Sequence, residues 1–118
     1  MNGVPYLLSL SFIFTVPAGI TLVCVGVFLL IKPPKKINGW YGYRTGSSMK
    51  SKEKWDFAQS YSSKLTILIG LLLVLIGFGI PFIQLDNKII SAIGVPFLFI
   101  GVFVLFILTE MAIDRRFK

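Results

Sequence analysis

Three stretches without a single charged residue, 1–31, 65–85 and 89–109, constrain this chain more than any other feature of it. Charge is expensive in hydrocarbon, so long runs free of it are expected where lipid surrounds the chain. A helix rises about 1.5 Å per residue and a bilayer core is about 30 Å thick, so roughly 20 apolar residues make one crossing. Each stretch meets that length. With 55% of its 118 residues hydrophobic, the composition also departs from that of a water-soluble domain in the direction of membrane spans. The chain reads as an all-α integral membrane protein, a single membrane domain over 1–118. It has three transmembrane helices, at about 6–31, 65–83 and 89–109, and a polar loop over 32–64.

The first stretch has no Lys or Arg ahead of it, is longer than a signal-peptide core, and is followed by Lys32, Pro33 and Pro34 where a cleavage site would need small residues. It is therefore expected to be a retained span. Pro17 inside it removes a backbone donor, which predicts a kink, tolerable in lipid if a neighbouring helix covers it. The run Lys32-Pro33-Pro34-Lys35-Lys36 ends the helix and puts lysines at headgroup height. Only the short turn Gln84–Lys88 separates the second and third spans, which predicts an antiparallel hairpin. Pro81 and Pro96 predict local bends in it.

Orientation follows from the basic residues. The 32–64 loop holds eight of them, the tail after Thr109 holds three, and the hairpin turn holds Lys88 alone. Positively charged segments stay on the cytoplasmic side, so the expected topology is N-terminus outside and C-terminus inside, in a plasma membrane. The same bias accounts for the net charge of +7 without nucleic acid, for which no recognition motif is present. Each span also carries a glycine pair seven residues apart: Gly19 and Gly26, Gly70 and Gly77, Gly94 and Gly101. Such pairs mark a seam where helix backbones approach closely, or they reflect how common glycine is in membrane helices; both readings stand.

The polar loop opens with Ile37-Asn38-Gly39-Trp40-Tyr41-Gly42-Tyr43-Arg44-Thr45-Gly46. Aromatic rings suited to the headgroup layer alternate here with glycines that allow tight backbone, and Arg44 can fork two hydrogen bonds onto a phosphate or carboxylate. An interfacial aromatic belt with a snorkelling arginine would use the same residues. From Ser48 to Lys64 the spacing predicts a short amphipathic helix lying on the membrane surface, with Trp55, Ala58 and Ser62 on one side and Phe57 and Tyr61 beside them. Ser48 or Ser51 would cap its start.

The run Pro34, Asn38, Gly42-Tyr43-Arg44-Thr45, Ser48, Trp55 and Ala58, followed by a glycine-bearing span, resembles the SdpI family of small bacterial membrane immunity proteins in its short, stand-alone form. The likeness covers about the last two-thirds of the chain. Gln59 departs from the Asn or His expected there. The resemblance implies a membrane-embedded protein that binds or counteracts a membrane-active toxin peptide, with a regulator protein docking at the loop as a further partner. It makes Asn38, Gly42, Tyr43, Arg44, Thr45 and Trp55 the candidate ligand-binding residues.

Catalysis is poorly supplied. The chain has no histidine and one cysteine, Cys24, which leaves no Ser/His, Cys/His or metal-ligand set, and no enzyme activity or cofactor is expected. No acid lies within a charge-free stretch; Glu110 sits just past one, beside the basic tail, or reaches inward to meet Arg44. The alternative to protection is a small transporter or lipid-handling protein working as an oligomer, since three helices alone enclose little volume.

Overall fold

The computed structural model describes residues 5–118; the outward-facing terminus expected from the sequence begins in the four residues outside it. Three helices, each long and apolar enough to cross a membrane, form an elongated bundle 54 Å in its longest dimension. A single 3₁₀ turn, Tyr6–Leu8, leads into α1, Leu10–Ile31. A polar connector follows, then α2, Lys52–Gly79, which closes in a second 3₁₀ turn, Ile80–Phe82, before α3, Asn87–Arg116. Each helix starts on a side-chain cap: Ser9 accepts from the Phe12 N–H, Ser51 from Lys54 and Asp86 from Lys88. Arg115 and Arg116 in the last turn of α3 complement its dipole.

One expectation is corrected. The amphipathic segment is not a separate surface helix: α2 runs unbroken from Lys52 through the apolar span. No proline or glycine stands between Lys52 and Ile69 to stop it, and at 28 residues the helix is about 42 Å long, well over the hydrocarbon thickness. Its polar first turns therefore stand up from the span. Trp55, Ala58 and Ser62 share one buried side, where Trp55 bonds the connector at Pro34 and Ala58 packs with Tyr43 and Ile113. At Pro17 α1 remains helical, and the proline is exposed.

The glycine pairs do mark the seam. A Cβ on Gly19 would stand 2.5 Å from the Gly70 carbonyl oxygen, and one on Gly70 would stand 2.5 Å from that of Gly19. At this crossing α1 and α2 touch backbone to backbone. Gly26 meets Ser63 and Ile67, and Gly77 meets Thr15 and Val16. Gly94 closes α3 against Ser11, whose hydroxyl donates to the Ile90 carbonyl at 2.5 Å and accepts from the Gly94 N–H at 2.8 Å. Ile90 and Gly94 are an i,i+4 pair of the α3 ladder, so a side chain of α1 bridges two backbone groups of its neighbour. Gly70→Ala is expected to lower stability by roughly 1–3 kcal/mol, because backbone on both sides cannot yield as a side chain would. A melting temperature in detergent equal to the wild type's would show that the helices separate there without cost.

α3 is the least enclosed helix: 6% of its most apolar window is buried within the protein, against 33% for α2. Its outward face is Phe99, Ile100, Phe103, Phe106 and Ile107, as suits a helix bathed in lipid.

Candidate functional site

The polar end of the bundle is built from the connector 32–51, the first turns of α2 and the last turns of α3. Two side chains of α2 set the connector's path. Trp55, fully buried, donates its indole N–H to the carbonyl of Pro34 at 2.6 Å, and Pro34 is itself among the most buried residues. One turn later Gln59, 2% exposed, holds both backbone groups of Tyr43: its Oε1 accepts the Tyr43 N–H at 2.8 Å and its Nε2 donates to the Tyr43 carbonyl at 2.7 Å. A primary amide is the one neutral side chain that mimics a strand neighbour in this way. Gly42 makes the approach possible. Its φ is +97°, in the left-handed region, and a Cβ there would stand 2.5 Å from Gln59 Oε1 and 2.7 Å from Pro34 Cγ.

From this clasp the chain runs outside any helix through Tyr43, Arg44 and Thr45, with Tyr43 buried, Arg44 exposed and Thr45 half-buried. Tyr43 and Thr45 turn toward α3, where both hydroxyls donate to Glu110 Oε2, at 2.8 Å and 2.9 Å. Ser47 donates to Oε1 at 2.5 Å. An ionised carboxylate accepts only, so three hydroxyl donors suit it. Burial first, and then the adjacent Glu110 carboxylate, push the Tyr43 phenol well above its usual range, so it remains a neutral donor. The Tyr43 ring lies 5.4 Å from that of Phe106 and joins a small core with Ala58 and Ile113. Ser48, fully buried, ties the turn internally: its hydroxyl donates toward the Tyr43 and Thr45 carbonyls and accepts the Thr45 N–H at 2.9 Å. Ser51, not Ser48, caps α2.

The six residues singled out in the sequence thus divide by role. Gly42, Tyr43, Thr45 and Trp55 are inside, holding the connector to α2 and α3. Asn38 organises its outer turn, donating to the Lys36 carbonyl at 2.8 Å and accepting the N–H groups of Trp40 and Tyr41 at 2.8 Å and 3.0 Å. Arg44 is outside. It does not reach Glu110: its exposed guanidinium bonds the Gly39 carbonyl, while Glu110 takes the neutral hydroxyls on either side of it in the sequence. Pro34, Ser47, Ser48 and Gln59 join the same fastening, with contacts that no motif along the chain announces. The polar arrangement brings no three metal-ligating residues together among the described residues. Its chemistry is that of a fastening. It immobilises a short loop whose outer face, with Trp40 at 87% exposure beside Tyr41 and Arg44, is left free.

A profile of the SdpI/YfhL protein family matches residues 35–110, nearly two-thirds of the chain. The match begins just after Pro34 and ends on Glu110, so it takes in both sides of the Tyr43, Thr45 and Ser47 contact. A protein of Bacillus subtilis (strain 168), described as uncharacterized protein YfhL, is 42% identical over 59 residues. That alignment covers 50% of this chain and 52% of the relative, about half the length of each. No solved structure matches the chain significantly.

Proposed function

The chain belongs to the SdpI/YfhL protein family, and from that premise we propose that it is a membrane-embedded protection protein that binds or counteracts a membrane-active toxin peptide. The observation that carries this reading is the contrast within one loop. Trp55, Gln59 and Glu110 fix its inner side by hydrogen bonds, while Trp40, Tyr41 and Arg44 stand outward without burial. A loop held in one conformation binds without a large ordering cost, and an exposed indole, phenol and guanidinium are the groups that most often dominate recognition of a peptide. The surplus of lysine and arginine in the connector and tail supports placing this surface at the cytoplasmic side. A peptide that inserts into or crosses the membrane would meet it there.

Expression in bacteria sensitive to the secreted sporulation-delaying toxin peptide tests the reading. The wild-type chain is expected to raise survival. Arg44→Ala is expected to lose at least ten-fold of that protection at equal amounts of protein in the membrane, and Arg44→Lys to recover only part of it, because an ammonium lacks the planar fork. Unchanged killing with the wild type would remove the proposal. Full protection by Arg44→Ala would move the contact away from this face.

A further inference from the structure

Where α1 ends, the connector encloses an open depression of about 620 Å³ lined by Lys32, Lys35, Lys36, Asn38, Trp40 and Tyr41, with Ile31 at its edge. That volume falls within the roughly 300–1,000 Å³ of small-molecule sites. We infer that this depression seats the headgroup of an anionic phospholipid, with the three lysines on its phosphate and the exposed Ile31 on its acyl chain. This goes beyond toxin protection and does not depend on it.

Four observations converge. The first is charge: the lining holds three ammonium groups and no carboxylate, and none of the three lysines has an acidic partner among the described residues, where Lys52 and Asp56 form the ion pair. The second is height. Ile31 is the last residue of an apolar helix and is 72% exposed, so the lysines that follow it directly sit at the boundary of hydrocarbon and water, where lipid phosphates lie. Third is the aromatic rim. Trp40 is 87% exposed, and an indole of this kind gains by entering the headgroup layer.

The fourth observation is how the backbone is tied, which separates a seat from a general basic surface. Pro33 and Pro34 fix the backbone between the lysines, Trp55 pins the Pro34 carbonyl, and Asn38 holds the N–H groups of Trp40 and Tyr41. Lysines on a mobile tail would follow any negative charge. Here the basic groups and the aromatic rim stand on one preorganised frame.

The test uses the full-length protein reconstituted in nanodiscs of phosphatidylcholine and phosphatidylglycerol in equal amounts, then extracted in mild detergent. Native mass spectrometry counts the lipids that stay bound. The wild type is expected to retain phosphatidylglycerol over phosphatidylcholine roughly ten-fold, at about one order of magnitude for each 1.4 kcal/mol. Replacing Lys32, Lys35 and Lys36 together with glutamine should abolish the preference. Replacing Lys50, Lys54 and Lys118, which remove the same charge outside the depression, should leave it. Trp40→Ala gives an independent reading, because a side chain so exposed can be removed without unfolding the protein, and it should lower retention several-fold. Equal loss in both lysine triples would show that only the overall field matters, and no loss in the first triple or in Trp40→Ala would show that lipid does not occupy the depression; either result overturns the inference. Inorganic phosphate at millimolar concentration should not displace the lipid, and displacement would reassign the seat to free phosphate and overturn it as well.

Discussion

Trp55→Ala is expected to release the connector from the bundle and lower stability by about 3–5 kcal/mol, the range for truncating a buried aromatic residue. Trp55 is fully buried, and its indole N–H is the partner of a carbonyl that has few alternatives. Pro34 brings no N–H of its own, is fully enclosed, and begins the segment that leads to Gly42. Truncation leaves both a void and an unmet acceptor. Trp55→Phe separates the two, since it keeps most of the ring volume and loses the donor, and should cost about 1–3 kcal/mol. Trypsin reads the outcome directly in micelles. Cleavage after Lys36 and Arg44 should quicken in the order wild type, Phe, Ala, whereas the bond after Lys32 precedes a proline and stays intact. A connector equally resistant in Trp55→Ala would mean that Gln59 and Glu110 hold it alone.

What the sequence discloses and what it hides follow from how local each force is. The spans are legible because the cost of charge in hydrocarbon acts on every residue by itself, and the glycine seam is half legible because the repeat is visible while its partners are not. The hydroxyl contact with Glu110 is hidden for a different reason. Tyr43 and Glu110 are 67 residues apart, and while three spans bring the end of α3 to the connector's side, nothing along the chain says which connector side chain meets Glu110. By charge alone, the basic tail beside Glu110 and Arg44 in the connector are the partners that its carboxylate suggests. The structure decides otherwise: Glu110 takes the hydroxyls of Tyr43 and Thr45, and Arg44 between them stands exposed. α2 starts well ahead of the apolar span because an amphipathic and an apolar segment with no proline or glycine between them remain one helix. The unpartnered Thr109 hydroxyl, fully buried in α3, has no explanation in the packing around it.

Gln59→Leu should loosen the connector without loosening the bundle. Leucine fills nearly the same space but offers neither the acceptor for the Tyr43 N–H nor the donor for its carbonyl, and each buried group left without a partner costs about 1–3 kcal/mol. Amide hydrogen exchange at Tyr43 should accelerate by roughly ten-fold to a hundred-fold, at about 1.4 kcal/mol per factor of ten. Amides near the Gly19 and Gly70 crossing, on the apolar part of α2 more than two helical turns away, should keep their protection. Gln59→Asn is the sharper comparison. It retains the amide and shortens it by one methylene, so it can hold both groups of Tyr43 only if the connector moves toward α2, a shift opposed by the bonds of Tyr43 and Thr45 to Glu110 and of Trp55 to the Pro34 carbonyl. Asn is therefore expected to behave like Leu. Protection at Tyr43 that survives in Asn would show that the connector adapts to the side chain, and that its outer face is less rigid than its use as a docking surface requires.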